Sequence, residues 1–349
     1  MNYNTLGNTE IQVSRICLGS MTWGEQNTES EAHDQLDMAL DMGVNFIDTA
    51  EMYSVPSREE TYGESERLIG NWIKKTGNRE QVVIATKVAG PCADWMPHIR
   101  NAGTRLDRVN IRAAAESSLR RLQTDYIDLY QTHWPERSAN YFGKLGYEHK
   151  DESNLISIEE TLYALTELVK EGKVRAIGVS NETPWGILEH LRQSSDKRLE
   201  RIVSIQNPFN LLNRSFEVGL AEVSIRERVG LLAYSPLAFG VLTGKYLQKE
   251  SPAEARLNQP KFKRFTRYTN PIPVAATRLY SEIAAEHGLK FSQMSLAYVN
   301  LQPFVTSTII GATNCAQLRE NIESDDLILS DEVRQAIEAV HKKHPNPAP

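Results

Sequence analysis

The chain has 349 residues, with 39 lysines and arginines against 45 aspartates and glutamates, so its formal charge is −6; 24% of residues are charged and 40% hydrophobic. That composition suits an ordinary globular fold, excludes collagenous and disulfide-stapled classes, and offers nothing global to attract nucleic-acid phosphates or an anionic membrane. Three cysteines without a CxxC pair (Cys17, Cys92, Cys315), no run of about 18 apolar residues and no basic-then-apolar leader after Met1 make the cytoplasm the expected location.

Short β-branched runs at 15–18, 44–47, 82–85, 126–130, 174–178, 202–205, 229–233 and 305–310 read as strands, with amphipathic helical stretches between them. After the first run, the capping box Thr28-x-x-Glu31 precedes the stripe Ala32, Leu36, Ala39 and Leu40, which stops at Gly43. A long stretch, 53–62, follows the second run, and a longer one, 134–156, follows the fourth. Ser157-x-x-Glu160 then opens a helix with Leu162, Leu165, Leu168 and Val169 on one face and Gly172 at its end. Thr183-Pro184 sets a cap and a first-turn proline before Ile187, Leu188 and Leu191.

No repeat or linker divides the chain, so one domain over 1–349 is expected. Eight alternating strand and helix units predict an α/β fold of the (β/α)8 TIM barrel type. A doubly wound dinucleotide fold would want a glycine-rich turn after its first strand, and this sequence contains no GxG. The stretch from Gly240 to Tyr246 is one residue short of a Walker A motif and ends in tyrosine, which argues against a P-loop nucleotidase. In a barrel the loops after strand C-termini carry the site, so 53–62 and 134–156 are the expected substrate walls.

Four polar residues fall at or beyond strand ends: Asp48, Tyr53, Lys87 and His133. A phenol is a poor acid at neutral pH, and a nearby ammonium lowers its pKa. Lys87 is placed to supply that charge, Asp48 to hold the ammonium, and His133 to orient a carbonyl oxygen or relay a proton. Such a set suits the reduction of a carbonyl.

These four residues resemble the tetrad of the aldo-keto reductases, and the resemblance extends over nearly the whole chain. Its other marks are Gly19-Ser20-Met21, the run Asn45-Phe46-Ile47-Asp48-Thr49-Ala50-Glu51-Met52-Tyr53, Gly178-Val179-Ser180-Asn181, Gln206-Asn207-Pro208, Tyr234-Ser235-Pro236-Leu237 and the segment from Gly311 to Asn321. The resemblance implies Tyr53 as proton donor, tuned by Lys87 and Asp48, with His133 positioning the oxygen and NADPH as hydride source. It implies Ser180, Asn181 and Gln206 at the nicotinamide carboxamide and Tyr234 stacked on the ring. Ser235, Leu237, Gly240, Leu242, Gly244 and Lys245 match the loop around the pyrophosphate, and Gly19, Ser20, Met21 and Pro236 join the cofactor set.

At the adenosine end, Gly311, Thr313, Gln317, Glu320 and Asn321 match one branch of the family. Other branches carry lysine and arginine where this chain has Gly311 and Gln317. A substitute clamp is visible in the acid-free run 256–267, which holds Arg256, Lys261, Lys263, Arg264 and Arg267, and Arg256 matches a phosphate-binding arginine. NADP is therefore the expected cofactor.

Trp134, beside His133, is expected to line an apolar pocket; Trp23 and Trp95 read as pocket residues or loop anchors. His341-x-x-His344 lacks a carboxylate or cysteine partner and reads as an exposed tail, so no metal is expected. The sequons at Asn181 and Asn213 carry no meaning for a chain without a secretory signal. The first reading is an NADPH-dependent reductase of aldehydes or ketones, a monomer or weak homo-oligomer acting on a small carbonyl substrate, without nucleic-acid or membrane partners. The alternative is a cofactor-sensing subunit like the β subunits of potassium channels. A third reading makes Lys87 a Schiff-base nucleophile, which leaves the loop from Tyr234 to Lys245 unexplained.

Overall fold

A computed structural model of the protein describes residues 1–92, 94–253, 255–262 and 265–349. The chain opens with a short antiparallel pair, β1 (Tyr3–Thr5) and β2 (Gln12–Ser14), which patterning does not reveal because three-residue strands are too short to alternate visibly. Eight parallel strands then close into a barrel: β3 (Ile16–Gly19), β4 (Phe46–Asp48), β5 (Val83–Val88), β6 (Ile127–Thr132), β7 (Val174–Ser180), β8 (Ile202–Pro208), β9 (Gly230–Tyr234) and β10 (Val305–Ile310). They pair in chain order, and β10 hydrogen-bonds to β3. Each β-branched run of the sequence falls on one barrel strand, so the expected TIM barrel is the observed fold.

The helices α1 (Glu29–Asp41), α2 (Glu64–Thr76), α3 (Arg108–Leu122), α4 (Ile158–Lys170), α5 (Pro184–Lys197) and α6 (Leu220–Glu227) connect successive strands up to β9. Two helices, α7 (Pro271–Glu286) and α8 (Phe291–Asn300), lie between β9 and β10, and α9 (Cys315–Glu323) and α10 (Asp331–Lys343) complete the chain. The caps read from the sequence are present. Thr28 and Glu31 form the reciprocal box on α1, Ser157 accepts from the Glu160 amide on α4, and Thr183 accepts from the Gly186 amide with Pro184 in the first turn of α5. No helix among the described residues is long and apolar enough to cross a membrane.

Two packed layers fix which end of the barrel is open. The outer layer joins helices to strands, with Leu36, Leu68, Ile111, Leu165 and Ile187 fully packed against the sheet. Inside the barrel, Cys17, Phe46, Ala85, Leu129, Ala176, Val203 and Leu232 form an apolar layer that Leu6 and Val13 of the β1–β2 hairpin plug from below. The turn of that hairpin needs Gly7: its φ is +60°, and a Cβ there would meet the Val203 carbonyl oxygen at 2.5 Å. With the N-terminal end sealed, the polar strand ends converge at the opposite face.

Two expectations are corrected. The strands run further than their β-branched stretches: β5 extends to Val88 and β6 to Thr132, so Asp48 and Lys87 lie within strands, while His133 follows β6 and Tyr53 lies beyond β4. Polar residues buried in a parallel barrel still complete the backbone ladder, which side-chain patterning does not register. The C-terminus is also no exposed tail. His341 lies in the last turn of α10, and the segment after it docks back on the barrel, where Ala348 is buried and donates its amide to the Leu212 carbonyl at 2.9 Å.

Candidate active site

At the open end, Lys87 of β5 is fully buried and donates to Asp48 Oδ2 and to the Thr49 carbonyl, both at 2.7 Å. The other Asp48 oxygen accepts from Gln206 Nε2 of β8 at 2.8 Å, and Gln206 also donates to Gln131 Oε1 of β6 at 3.4 Å. The pair is thus buried, with both Asp48 oxygens hydrogen-bonded and two donors of the Lys87 ammonium engaged, which favours a stable interior ion pair.

Tyr53 sits on the turn after β4, where the Tyr53 amide donates to the Ala50 carbonyl. Lys87 Nζ lies 4.9 Å from its ring centroid, and the His133 ring meets it edge-on at 5.7 Å. The sequence-based expectation for its acidity is corrected. Burial pushes the Tyr53 phenol well above its ordinary value and the Asp48 carboxylate adds to that push. The Lys87 ammonium is held by Asp48, so the phenol faces a neutralised pair rather than an isolated cation. Tyr53 is therefore protonated at neutral pH.

Burial first, and the Lys87 charge second, hold the His133 imidazole well below its ordinary value, and its Nδ1 is buried with no partner among the described residues. A neutral imidazole can orient an oxygen without carrying charge. Burial likewise lowers His190. For a base with a depressed folded pKa, the unfolded chain binds more protons below about 6.5, so stability is present above that pH and is lost as pH falls through it. Stability to urea is expected to drop between pH 7 and pH 5, and His133→Asn to flatten that slope; an unchanged slope would overturn the assignment of His133 as neutral in the folded state.

A cavity of about 820 Å3 begins at Asp48, Tyr53 and His133 and continues to α9. Of the residues expected at a cofactor, Gly19, Met21, Ser180, Asn181, Gln206, Tyr234, Ser235, Pro236, Leu237, Gly240, Lys245, Arg256, Gly311, Thr313, Gln317, Glu320 and Asn321 line it. Ser20, Leu242 and Gly244 do not. Ser20 and Leu242 are buried behind the wall, where Ser20 Oγ donates to the Asp48 carbonyl at 3.0 Å. Several wall residues are tied to the four residues at its end: Tyr234 Oη donates to Asn181 Oδ1 at 2.8 Å, and Asn181 Nδ2 donates to the His133 carbonyl at 2.8 Å. At the far end Gln317 Oε1 accepts from the Thr313 amide and hydroxyl. Of the basic run, Arg256 lies over the Phe239 and Phe262 rings at 5.2 and 5.8 Å, and Lys261 pairs with Glu25 at 3.0 Å; Lys263 and Arg264 lie outside the described residues. Arg267, expected in the same clamp, lies instead against Gly143 of the 134–156 loop and beside the Tyr268 ring, apart from Arg256, because packing against that distant loop sets its position.

The tryptophans divide differently from expectation. Trp134 is only 1% exposed and donates its indole N–H to the Pro91 carbonyl, packed where a Cβ on Gly90 would strike it. Trp23 is in the core, whereas Trp95 is 50% exposed and lines the cavity with Phe142. Sequence proximity to His133 misassigns Trp134 because the chain direction after a strand does not fix which way the next side chain turns. The 53–62 loop contributes Val55, Pro56 and Ser57 to the wall, and the 134–156 loop contributes Phe142.

Sequence reasoning also misses Glu51. It is fully buried, paired with Arg100, and accepts from the Ala89 amide. That pair ties the Tyr53 turn to the segment bearing Trp95 and Met96. Its only sequence signal is an acid inside an apolar stretch, which the tetrad motif overshadows.

Comparison with known proteins agrees with this geometry. The Aldo/keto reductase family profile matches residues 15–342. The chain belongs to the aldo/keto reductase family. It is therefore an oxidoreductase in class. It is 53% identical to the protein Tas of Escherichia coli over the full length of both chains. It is 32% identical to the oxidoreductase YrpG of Bacillus subtilis, over 95% of this chain and 94% of that one. A probable voltage-gated potassium channel subunit beta of rice is 30% identical over 99% of this chain and 98% of its own.

Proposed function

We propose that this reductase, acting as one barrel domain over 1–349 in the cytoplasm, reduces small aldehydes or ketones with NADPH. The observation that carries the reading is a protonated, buried Tyr53 beside the Lys87–Asp48 pair and the neutral His133, at one end of a cavity large enough for a dinucleotide. The walls fit such a cofactor. Tyr234 offers a ring face for a nicotinamide, Asn181 and Gln206 offer amides near it, and Lys245 and Arg256 offer cations along the path of the phosphates.

The bound cofactor supplies a hydride. The protein's part is to hold the carbonyl oxygen between Tyr53 Oη and the His133 ring, and to deliver the phenolic proton to that oxygen as negative charge develops on it. Lys87 Nζ lies 4.9 Å from the Tyr53 ring centroid, held there by Asp48, which Gln206 in turn holds, so the pair fixes the surroundings in which the phenol gives up its proton. Burial of all four excludes water from the transfer.

Fluorescence titration with NADPH and NADH, followed by turnover of benzaldehyde, tests the reading; tight binding with no turnover of any aldehyde would favour a cofactor-sensing role, which the likeness to a potassium channel subunit supports. Arg256 is expected to set the cofactor preference. Arg256→Gln should weaken NADPH binding about 10- to 100-fold, the loss of a charge-assisted contact to phosphate, while NADH binding stays within about twofold. Equal effects on both cofactors would exclude a 2′-phosphate contact.

A further inference from the structure

The cavity carries more positive charge than the cofactor reading uses. Lys245 and Arg256 are the wall cations assigned to phosphates, and the wall carboxylates are already engaged: Asp48 by Lys87, and Glu320 by Lys290 and Ser292. Arg267, from the same loop after β9, also lines the cavity, half-buried. Among the described residues, no carboxylate lies within ion-pairing distance of its guanidinium, which borders the Tyr268 ring at 5.8 Å.

Its position is at the reacting end. The guanidinium lies against Gly143 of the 134–156 loop, where a Cβ would come within 2.6 Å of Nη2. The preceding residue, Phe142, lines the cavity 46% exposed, together with Trp95. Both rings pack on the buried Trp134, at 5.2 Å for Trp95 and 6.0 Å for Phe142, and Trp134 in turn meets His133 at 5.0 Å. On its other side Arg267 is close enough to Tyr234 for its charge to pull that phenol downward, against the larger upward push of burial. An apolar wall therefore runs from Tyr53 to a cation that has no partner carboxylate among the described residues.

We propose that Arg267 selects the substrate by binding a carboxylate, so that the preferred substrates are flat, apolar carbonyl compounds bearing an anionic group at the end away from the reacting carbonyl. The proposal rests on the reductase reading of the site. The planar guanidinium takes a carboxylate through two parallel N–H donors, and the Trp95 and Phe142 faces cover an aryl body.

The test compares 4-formylbenzoate with its methyl ester at neutral pH in the wild type, Arg267→Met and Arg267→Lys. The wild type should show a kcat/KM about 10- to 100-fold higher for the carboxylate, carried by KM. Arg267→Met should remove that preference while the ester and NADPH affinity stay within about threefold, and Arg267→Lys should restore part of it. Binding of 4-(hydroxymethyl)benzoate and its methyl ester, read by tryptophan fluorescence, repeats the comparison without turnover. No turnover with the carboxylate preference intact in binding would sink the reductase reading and leave Arg267 standing. Equal binding of acid and ester by the wild type would overturn the proposal, as would an Arg267→Met variant that loses NADPH affinity and keeps the preference.

Discussion

Tyr53→Phe is expected to lower carbonyl turnover by about 10³-fold, the scale for loss of a positioned general acid, with NADPH affinity within about twofold of wild type. The phenylalanine ring fills the same space between His133 and Lys87, so packing is retained and only the proton is removed. The loss should fall on kcat and kcat/KM together, because the proton is delivered in the transition state and not in the ground state. Single-turnover oxidation of bound NADPH, mixed with excess aldehyde, is the measurement. A variant that retains more than about a tenth of wild-type rate would move the proton donor elsewhere, given the size expected for general-acid loss.

Lys87→Met separates chemistry from stability. Removing the ammonium leaves Asp48 buried at 3% exposure with one oxygen bound to Gln206 and the other unpaired. Breaking one side of a buried ion pair costs about 3–5 kcal/mol, so the urea midpoint should fall sharply. The double variant Asp48→Asn with Lys87→Met removes both charges and should recover most of that stability while remaining inactive. Recovery without activity would show that the pair is kept for the field it places at Tyr53. A single variant as stable as wild type would overturn the reading that the buried Asp48 depends on Lys87 for its stability.

The buried Glu51–Arg100 pair shows a second use of the same physics. It lies behind the site and anchors both the turn that carries Tyr53 and the segment that carries Trp95. Such a pair gives no net stability advantage over well-packed apolar residues, but it fixes a register between two loops that have no regular structure of their own. Preorganised loops of this kind let a barrel hold a general acid within reach of its substrate.

What the sequence determined by itself is the local part. Eight β-branched runs alternating with helical stretches, together with the caps at Thr28, Ser157 and Thr183, are short-range signals, and each led to the element it predicted. The motif residues were legible because Asp48, Lys87 and His133 lie at or near strand ends, and a closed barrel brings strand ends to one face. What only the tertiary structure decided is set by packing between distant segments. The hairpin plug, the docked C-terminus, the buried Trp134 and the Glu51–Arg100 pair all depend on contacts across the chain. The sign of the Tyr53 shift belongs there too: the sequence supplied the neighbouring charge, but how deeply the phenol is buried, and that Asp48 already holds Lys87, are properties of the folded barrel alone.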